Sequence, residues 1–95
     1  MNDNINQIKQ HISIAAYYLA QENHPYDTLC WMLAERELYI QNNFTRPGDN
    51  YIRKRAAEIF YSSPAYDVLC WLISEKEIFL KSRTRKSHSK TSFFG

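Results

Sequence analysis

The most constraining feature of this sequence is an internal repeat at an offset of forty residues. Residues 26–31 read YDTLCW, and residues 66–71 read YDVLCW. Over the fifteen positions 26–40 and their counterparts 66–80, seven residues are identical and most of the others are conservative replacements. Self-similarity at a fixed period indicates a duplicated structural unit, so the chain is expected to consist of two related halves.

Each half has the pattern of two helices. An apolar stripe at spacings of three and four residues predicts the first helix of each half. The sequence predicts helices over about 5–21, 24–41, 50–62 and 64–82, separated by breaks near Pro25 and Pro64 and by a linker at 42–48. In the first helix the stripe consists of Ile5, Ile8, Ile12, Ala15, Ala16 and Leu19, and in the third of Ile52, Ala56, Ile59 and Phe60.

These elements predict an all-α fold. Because the repeated helices are apolar around much of their circumference, a single helix pair cannot cover them. We therefore expect two tandem helical hairpins related by a pseudo-two-fold axis, forming a four-helix bundle-like domain. The domain should span 1–82, with repeats at 4–42 and 49–82. Residues 83–95 are predicted to form a disordered basic tail, since this segment has no apolar period.

Several repeated residues are candidate structural anchors. Trp31 and Trp71 should each bury ~150–250 Å². Cys30 and Cys70 are expected to be small buried hydrophobes, with a disulfide between the halves and a metal site as the alternatives. The sequence has no Cys-x-x-Cys or Cys-x-x-His spacing, which argues against the metal.

Glu37 and Glu77 fall near the apolar arc of their helices, beside the rows that contain Tyr26 and Tyr66. A buried carboxylate is costly unless it is paired. The structural interpretation has these glutamates accepting from a tyrosine hydroxyl or pairing with a cation such as Arg55 or His11. Paired acids or metal ligands are one alternative, although the Glu-x-x-His of di-iron bundles is absent. Rotation of both glutamates into solvent is the other.

The pattern Ala16-Tyr17-x-Leu19-Ala20 followed by Trp31-x-x-Ala34-Glu35-x-Glu37 resembles a bacterial domain-of-unknown-function family with a helix-loop-helix unit. The second repeat is similar to it through Trp71-x-x-Ser74-Glu75-x-Glu77. The family's loop is longer and contains glycines, and its tryptophan usually follows an aspartate directly, whereas a cysteine precedes it here. The resemblance implies a small helical module, and the family has no established activity to carry over.

Signals for catalysis are poor. The chain has only two glycines, so it lacks a glycine-rich phosphate loop, and its three histidines share no spacing. We expect no enzyme, no cofactor and no small-molecule substrate. No apolar run approaches the roughly 20 residues that span a bilayer, and the N-terminus lacks the pattern of a secretory signal, so a cytoplasmic protein is expected.

The leading functional hypothesis is a small helical protein that binds a protein partner or another copy of itself. Its basis is an excess of apolar and aromatic side chains over what a chain of 95 residues easily hides. These side chains are Tyr17, Tyr18, Met32, Tyr39, Phe44, Tyr51 and Tyr61.

The alternative is a nucleic-acid-binding accessory protein. Residues 1–80 contain seven Lys or Arg and ten Asp or Glu, whereas residues 81–95 contain five basic residues and no acidic ones. Together with a basic run on the third helix, this tail could contact phosphates. Its candidate contacts are Arg53, Lys54, Arg55, Arg83, Arg85 and Lys86. A tail that serves only solubility, and docking of Phe93 and Phe94 on anionic lipid, are further interpretations.

Overall fold

A computed structural model describes the backbone of residues 2–92 and the surroundings of the side chains of residues 5–83. This part of the chain forms four α-helices and contains no strand, which confirms the predicted all-α four-helix fold. The helices are α1 (Asn2–Gln21), α2 (Tyr26–Gln41), α3 (Asp49–Ser62) and α4 (Tyr66–Ser92).

The two short breaks are built in the same way. Asn23 and Ser63, which lie forty residues apart, both adopt left-handed backbone with φ of 57°. This conformation ends a helix, and asparagine accepts it more readily than most residues. The prolines were predicted to lie inside the first turns, but α2 begins at Tyr26 with Pro25 as its N-cap, and α4 begins at Tyr66. Asp27 and Asp67 occupy the first turns, where carboxylates suit the helix dipole.

Helix α4 continues to Ser92, whereas the sequence predicted its end at Ser82. The segment that follows Ser82 contains no proline and no glycine before Gly95, so no residue in it interrupts the hydrogen bonding of the helix. Residues 83–92 therefore have helical backbone where a tail was expected. The side chains after Arg83 and the residues 93–95 lie outside the described part, and the disorder predicted there stays a prediction.

The helices do not pair as the predicted hairpins. Within residues 2–92, α1 packs on α4, α3 packs on α2, and α2 packs on α4, while the backbone of α1 stays apart from that of α2 and the backbone of α3 from that of α4. The first helix of each repeat thus lies on the second helix of the other repeat. Each break, a left-handed residue followed by a proline-containing segment, reverses the chain without bringing the backbones of its two helices together.

Side-chain contacts give the helix directions. Tyr26 at the start of α2 meets Phe60 at the end of α3, with ring centroids 5.5 Å apart, so α2 and α3 are antiparallel. The hydroxyl of Tyr26 also donates to the carbonyl of Pro64, just before α4. Further along both helices Arg36 bonds Glu77, so α2 and α4 run in the same direction side by side.

The core lies along this central pair of helices. Equivalent positions in the two repeats are buried together, including Leu29 with Leu69 and Leu33 with Ile73. The partner helices contribute Ile52 and Ile59 from α3 and Ala16 from α1. Both second helices are therefore covered from more than one direction, as their apolar circumference requires.

The stripe of α1 is buried only in part. Ile12 and Ala16 are in the core, but Ile5 and Ile8 are about half exposed, at 54% and 52%. The first two residues of the predicted stripe therefore lie outside the core. They continue the same face of the helix as Ile12, but the described neighbours do not extend far enough to cover them.

Candidate functional site

An apolar groove lies between α1 and α2, with α4 as its floor, and we call it the α1–α2 groove. It exists because both helices pack on α4 while their own backbones stay apart. Its volume is about 380 Å³. It is lined by Ala15, Tyr18, Leu19 and Glu22 of α1, Met32 of α2, and Ile73, Ser74, Glu77, Ile78 and Lys81 of α4.

The lining combines a hydrophobic floor with a polar rim. Ile73 at the bottom is fully buried, and Ser74 is the one polar residue that is buried among the described side chains. Tyr18 at the edge is exposed, and its ring meets that of Tyr17 edge to face at 5.5 Å. An exposed aromatic pair beside an apolar groove is a common feature of protein-binding surfaces.

The repeat shows why this groove is open. The position forty residues after Ala15 is Arg55 on α3. The Arg55 guanidinium reaches Glu37 on α2, with Nε to Oε1 at 2.7 Å, and it also bonds Glu58 at 3.1 Å. A long side chain thus occupies the space beside α3, whereas alanine leaves the corresponding space beside α1 empty.

Glu37 and Glu77 are both paired with arginines, as the structural interpretation expected, but through different partners. Glu37 forms an ion pair with Arg55, and the Glu37 side chain is 17% exposed. Glu77 takes Arg36 of α2, with Nε to Oε2 at 2.8 Å, and its side chain is 37% exposed. Arg36 also donates to the carbonyl of Met32, which fixes it along its own helix.

The hydrogen bond to Glu37 raises the pKa of the Arg55 guanidinium above its usual range, an effect that desolvation partly opposes. The arginine is therefore charged at any pH at which the protein is folded. Both glutamates serve as ion-pair partners between helices, which leaves them poorly suited to act as paired acids.

Tyr26 and Tyr66 form a reciprocal pair of hydrogen bonds. The Tyr26 hydroxyl donates to Pro64 O, and the Tyr66 hydroxyl donates to His24 O at 2.7 Å. The tyrosine at the start of α2 therefore holds the break before α4, and the tyrosine at the start of α4 holds the break before α2. Burial raises the pKa of the Tyr26 phenol, and the nearby Cys30 adds to that rise.

Cys30 and Cys70 are free and almost completely buried, as expected of small hydrophobes. Burial raises the pKa of both thiols, and the negative charges of Asp27 and Asp67 add to it. Such thiols are weak nucleophiles at neutral pH. Trp31 and Trp71 are partly buried and pack against the core, so the deepest positions of the repeated motif belong to the leucine and cysteine rather than to the tryptophan.

The candidate nucleic-acid contacts that the structure describes differ in their surroundings. Arg53 and Lys54 are exposed on α3, while Arg55 is held by its two glutamates. The Arg83 guanidinium stacks on Phe44 at 3.6 Å from the ring centroid. Arg85 and Lys86 lie outside the described side chains.

Among the described residues, no three His, Cys, Asp or Glu side chains are placed to hold a metal ion together. Within the same part of the chain, no helix combines the length and the apolar character that crossing a membrane requires. The predicted absence of a cofactor and of a small-molecule substrate stays a prediction, as does the predicted cytoplasmic location.

Sequence reasoning did not identify the α1–α2 groove as a site. Tyr18 and Met32 appeared only as surplus apolar side chains, and Ala15 appeared as a core residue. The usable signal was the contrast between Ala15 and Arg55 at equivalent positions. It could be interpreted only once the packing of α1 on α4 was known.

Comparison with protein-family models, with curated proteins and with solved structures finds no match for this chain.

Proposed function

We propose that this chain is a non-enzymatic protein-binding module whose α1–α2 groove receives an apolar helical segment of a partner protein. The observation that carries the proposal is the groove itself, an apolar cleft of about 380 Å³ between two helices that share a floor. Helix-in-groove binding uses this geometry, with apolar anchors from the partner filling the cleft.

The surface beside the groove supports the proposal. Ile14, Tyr17 and Tyr18 are more than half exposed on the first helix. Exposing apolar and aromatic side chains to water is unfavourable, so a cluster of them beside a cleft favours an interaction surface. The polar rim of Glu22 and Lys81 offers charges of both signs, which would orient a partner helix rather than supply most of its affinity.

The test fills the groove by lengthening one side chain of its lining. Ala15→Arg places in the cleft the side chain that the other repeat has there naturally, and we expect the protein to remain folded. Ala57→Arg is the matched control, since Ala57 is exposed on α3 and lies outside the groove lining.

The probe is a set of helical peptides selected from a peptide-display library for binding to the wild-type protein. Their affinities for wild type, A15R and A57R are then measured by fluorescence anisotropy. We expect A15R to bind at least about tenfold more weakly, a loss of about 1.4 kcal/mol, and A57R to bind as wild type does. Peptides that bind all three proteins equally would show that the groove is not the binding surface.

The exposure of Arg53 and Lys54 motivates the second candidate, an accessory nucleic-acid-binding role that also uses the basic segment after residue 81. A shift assay with duplex DNA and single-stranded RNA tests it. Binding through phosphates should weaken steeply with salt, and it should be lost in a variant that combines R53E and K54E with removal of residues 83–95. Retention of binding in that variant would exclude these residues as the contacts.

A further inference from the structure

In the described part of the chain, the close approaches between helix backbones all join one repeat to the other. α1 packs on α4, α3 on α2, and α2 on α4, whereas the backbones of the two helices of one repeat stay apart. The core is therefore built mainly at the interface between the repeats.

The polar contacts that join helices follow the same rule. Tyr26 bonds Pro64, Tyr66 bonds His24, and Arg36 bonds Glu77, each joining one repeat to the other. The pair of Arg55 with Glu37 does so as well. Each repeat thus carries a complete set of complementary groups for the other repeat, and any copy of that other repeat offers the same set.

The covalent link between the two repeats is the connector, residues 42–48. Most of its residues are exposed. It holds Asn43 and Phe44 in succession at φ of 58° and 63°, a left-handed conformation that is unfavourable for a bulky side chain. The turn back from α2 to α3 therefore depends on strained backbone, and an extended connector would release that strain.

We propose that two copies of this chain exchange whole repeats, so that repeat one of each chain packs on repeat two of the other. The partner is a second copy, and the interface is the set of contacts already present within one chain. The antiparallel arrangement of α2 and α3 favours this dimer. If each connector becomes extended, α2 of one chain can lie along α3 of the other in the same antiparallel way. The inference does not rest on the groove, which the exchanged dimer rebuilds unchanged.

The test uses the full chain with two connectors of equal length. In one variant, residues 42–48 are replaced by a helix-forming Ala- and Glu-rich segment, which joins α2 and α3 into one continuous helix and prevents the turn within a chain. In the control variant the same residues are replaced by a flexible Gly-Ser segment, which permits the turn. Analytical ultracentrifugation gives the mass, and circular dichroism gives the helical content.

We expect the helical-connector variant to be a folded dimer of twice the chain mass that does not dissociate on dilution to micromolar concentration. The control should be predominantly monomeric. A folded monomer from the helical-connector variant, or an unfolded or aggregated chain, would overturn the proposal, since exchange offers that variant the native packing of α1 on α4, α3 on α2 and α2 on α4.

A second measurement uses the unaltered protein. Wild type refolded from denaturant at high concentration should give a fraction of dimer that returns to monomer only through unfolding. Mixing isotopically labelled with unlabelled chains before refolding should yield contacts between α1 of one chain and α4 of the other. A refolded sample that is entirely monomeric would contradict exchange in the natural protein. Adding A15R to the helical-connector variant should leave it dimeric, which separates this test from that of the groove.

Discussion

The side of the molecule at α1 (the α1 flank) and the side at α3 (the α3 flank) share one backbone arrangement, in which the first helix of one repeat packs on the second helix of the other. They differ in their side chains. On the α3 flank Arg55 crosses to Glu37 and occupies the space between the helices. On the α1 flank Ala15 leaves that space open, and Glu77 is held instead by Arg36 from the neighbouring helix. The contrast between Ala15 and Arg55 thus accompanies a difference in how the repeated glutamates are paired, because the partner of a repeated glutamate need not come from the equivalent residue.

Core truncation should have the largest effect and should not distinguish the two flanks. Leu29 and Leu69 are fully buried at equivalent positions. Leu29→Ala and Leu69→Ala should each lower the free energy of unfolding by about 2–5 kcal/mol, because each leaves a cavity in the shared core. Urea unfolding followed by circular dichroism measures the change.

Each of these variants should also unfold in a single transition, with the fluorescence of Trp31 and Trp71 changing together when each is observed in a protein that lacks the other. Separate transitions for the two tryptophans would mean that the halves are independent units, which conflicts with packing that lies only between them.

Substitutions at position 55 and at its counterpart, position 15, should have the next largest effect on the free energy of unfolding. Arg55→Ala removes the partner of a partly buried carboxylate and should cost about 1–3 kcal/mol. Ala15→Arg should change the free energy of unfolding by less than about 1 kcal/mol, because the new side chain enters an open cleft that retains solvent access. Urea denaturation of both variants at low salt tests the contrast. Equal destabilisation would show that the open flank is as tightly packed as the closed one.

The reciprocal tyrosines should behave alike. Tyr26→Phe and Tyr66→Phe each remove one hydrogen bond to a backbone carbonyl, and each should cost about 0.5–1.5 kcal/mol. Thermal unfolding of the two single variants and of the double variant provides the measurement. A much larger loss for one of them would indicate that only one of the two breaks depends on its tyrosine.

The smallest effect near neutral pH concerns the cysteines. Burial raises the pKa of the Cys30 and Cys70 thiols. Folding therefore favours the neutral thiol, and this contribution is complete below the ordinary thiol pKa and is lost as the pH rises through the raised value. Stability should decline in the alkaline range, and the decline should be shallower in a variant with both cysteines replaced by alanine. Urea midpoints measured from pH 7 to pH 10 provide the test, and identical slopes would contradict it.

Much of the fold follows from the sequence. The period of the apolar residues predicts four helices, and the repeat predicts that equivalent positions are buried together. The pairing of Glu37 with Arg55 was among the predicted alternatives, because a carboxylate on an apolar arc requires a cation or a donor. The extension of α4 to Ser92 was missed, since polar residues without a helix breaker are compatible with both helix and coil.

The sequence by itself determined that the chain forms four helices, roughly where the breaks between them lie, and which faces need cover. Only the tertiary structure decided which helix provides the cover, and it placed α1 on α4 rather than on α2. An apolar stripe specifies that burial is needed but not the surface that supplies it, and packing within or between repeats would bury nearly the same side chains. The open groove beside Ala15 depends on that choice, and so does the proposed exchange of repeats between chains, so neither could be predicted from the residues alone.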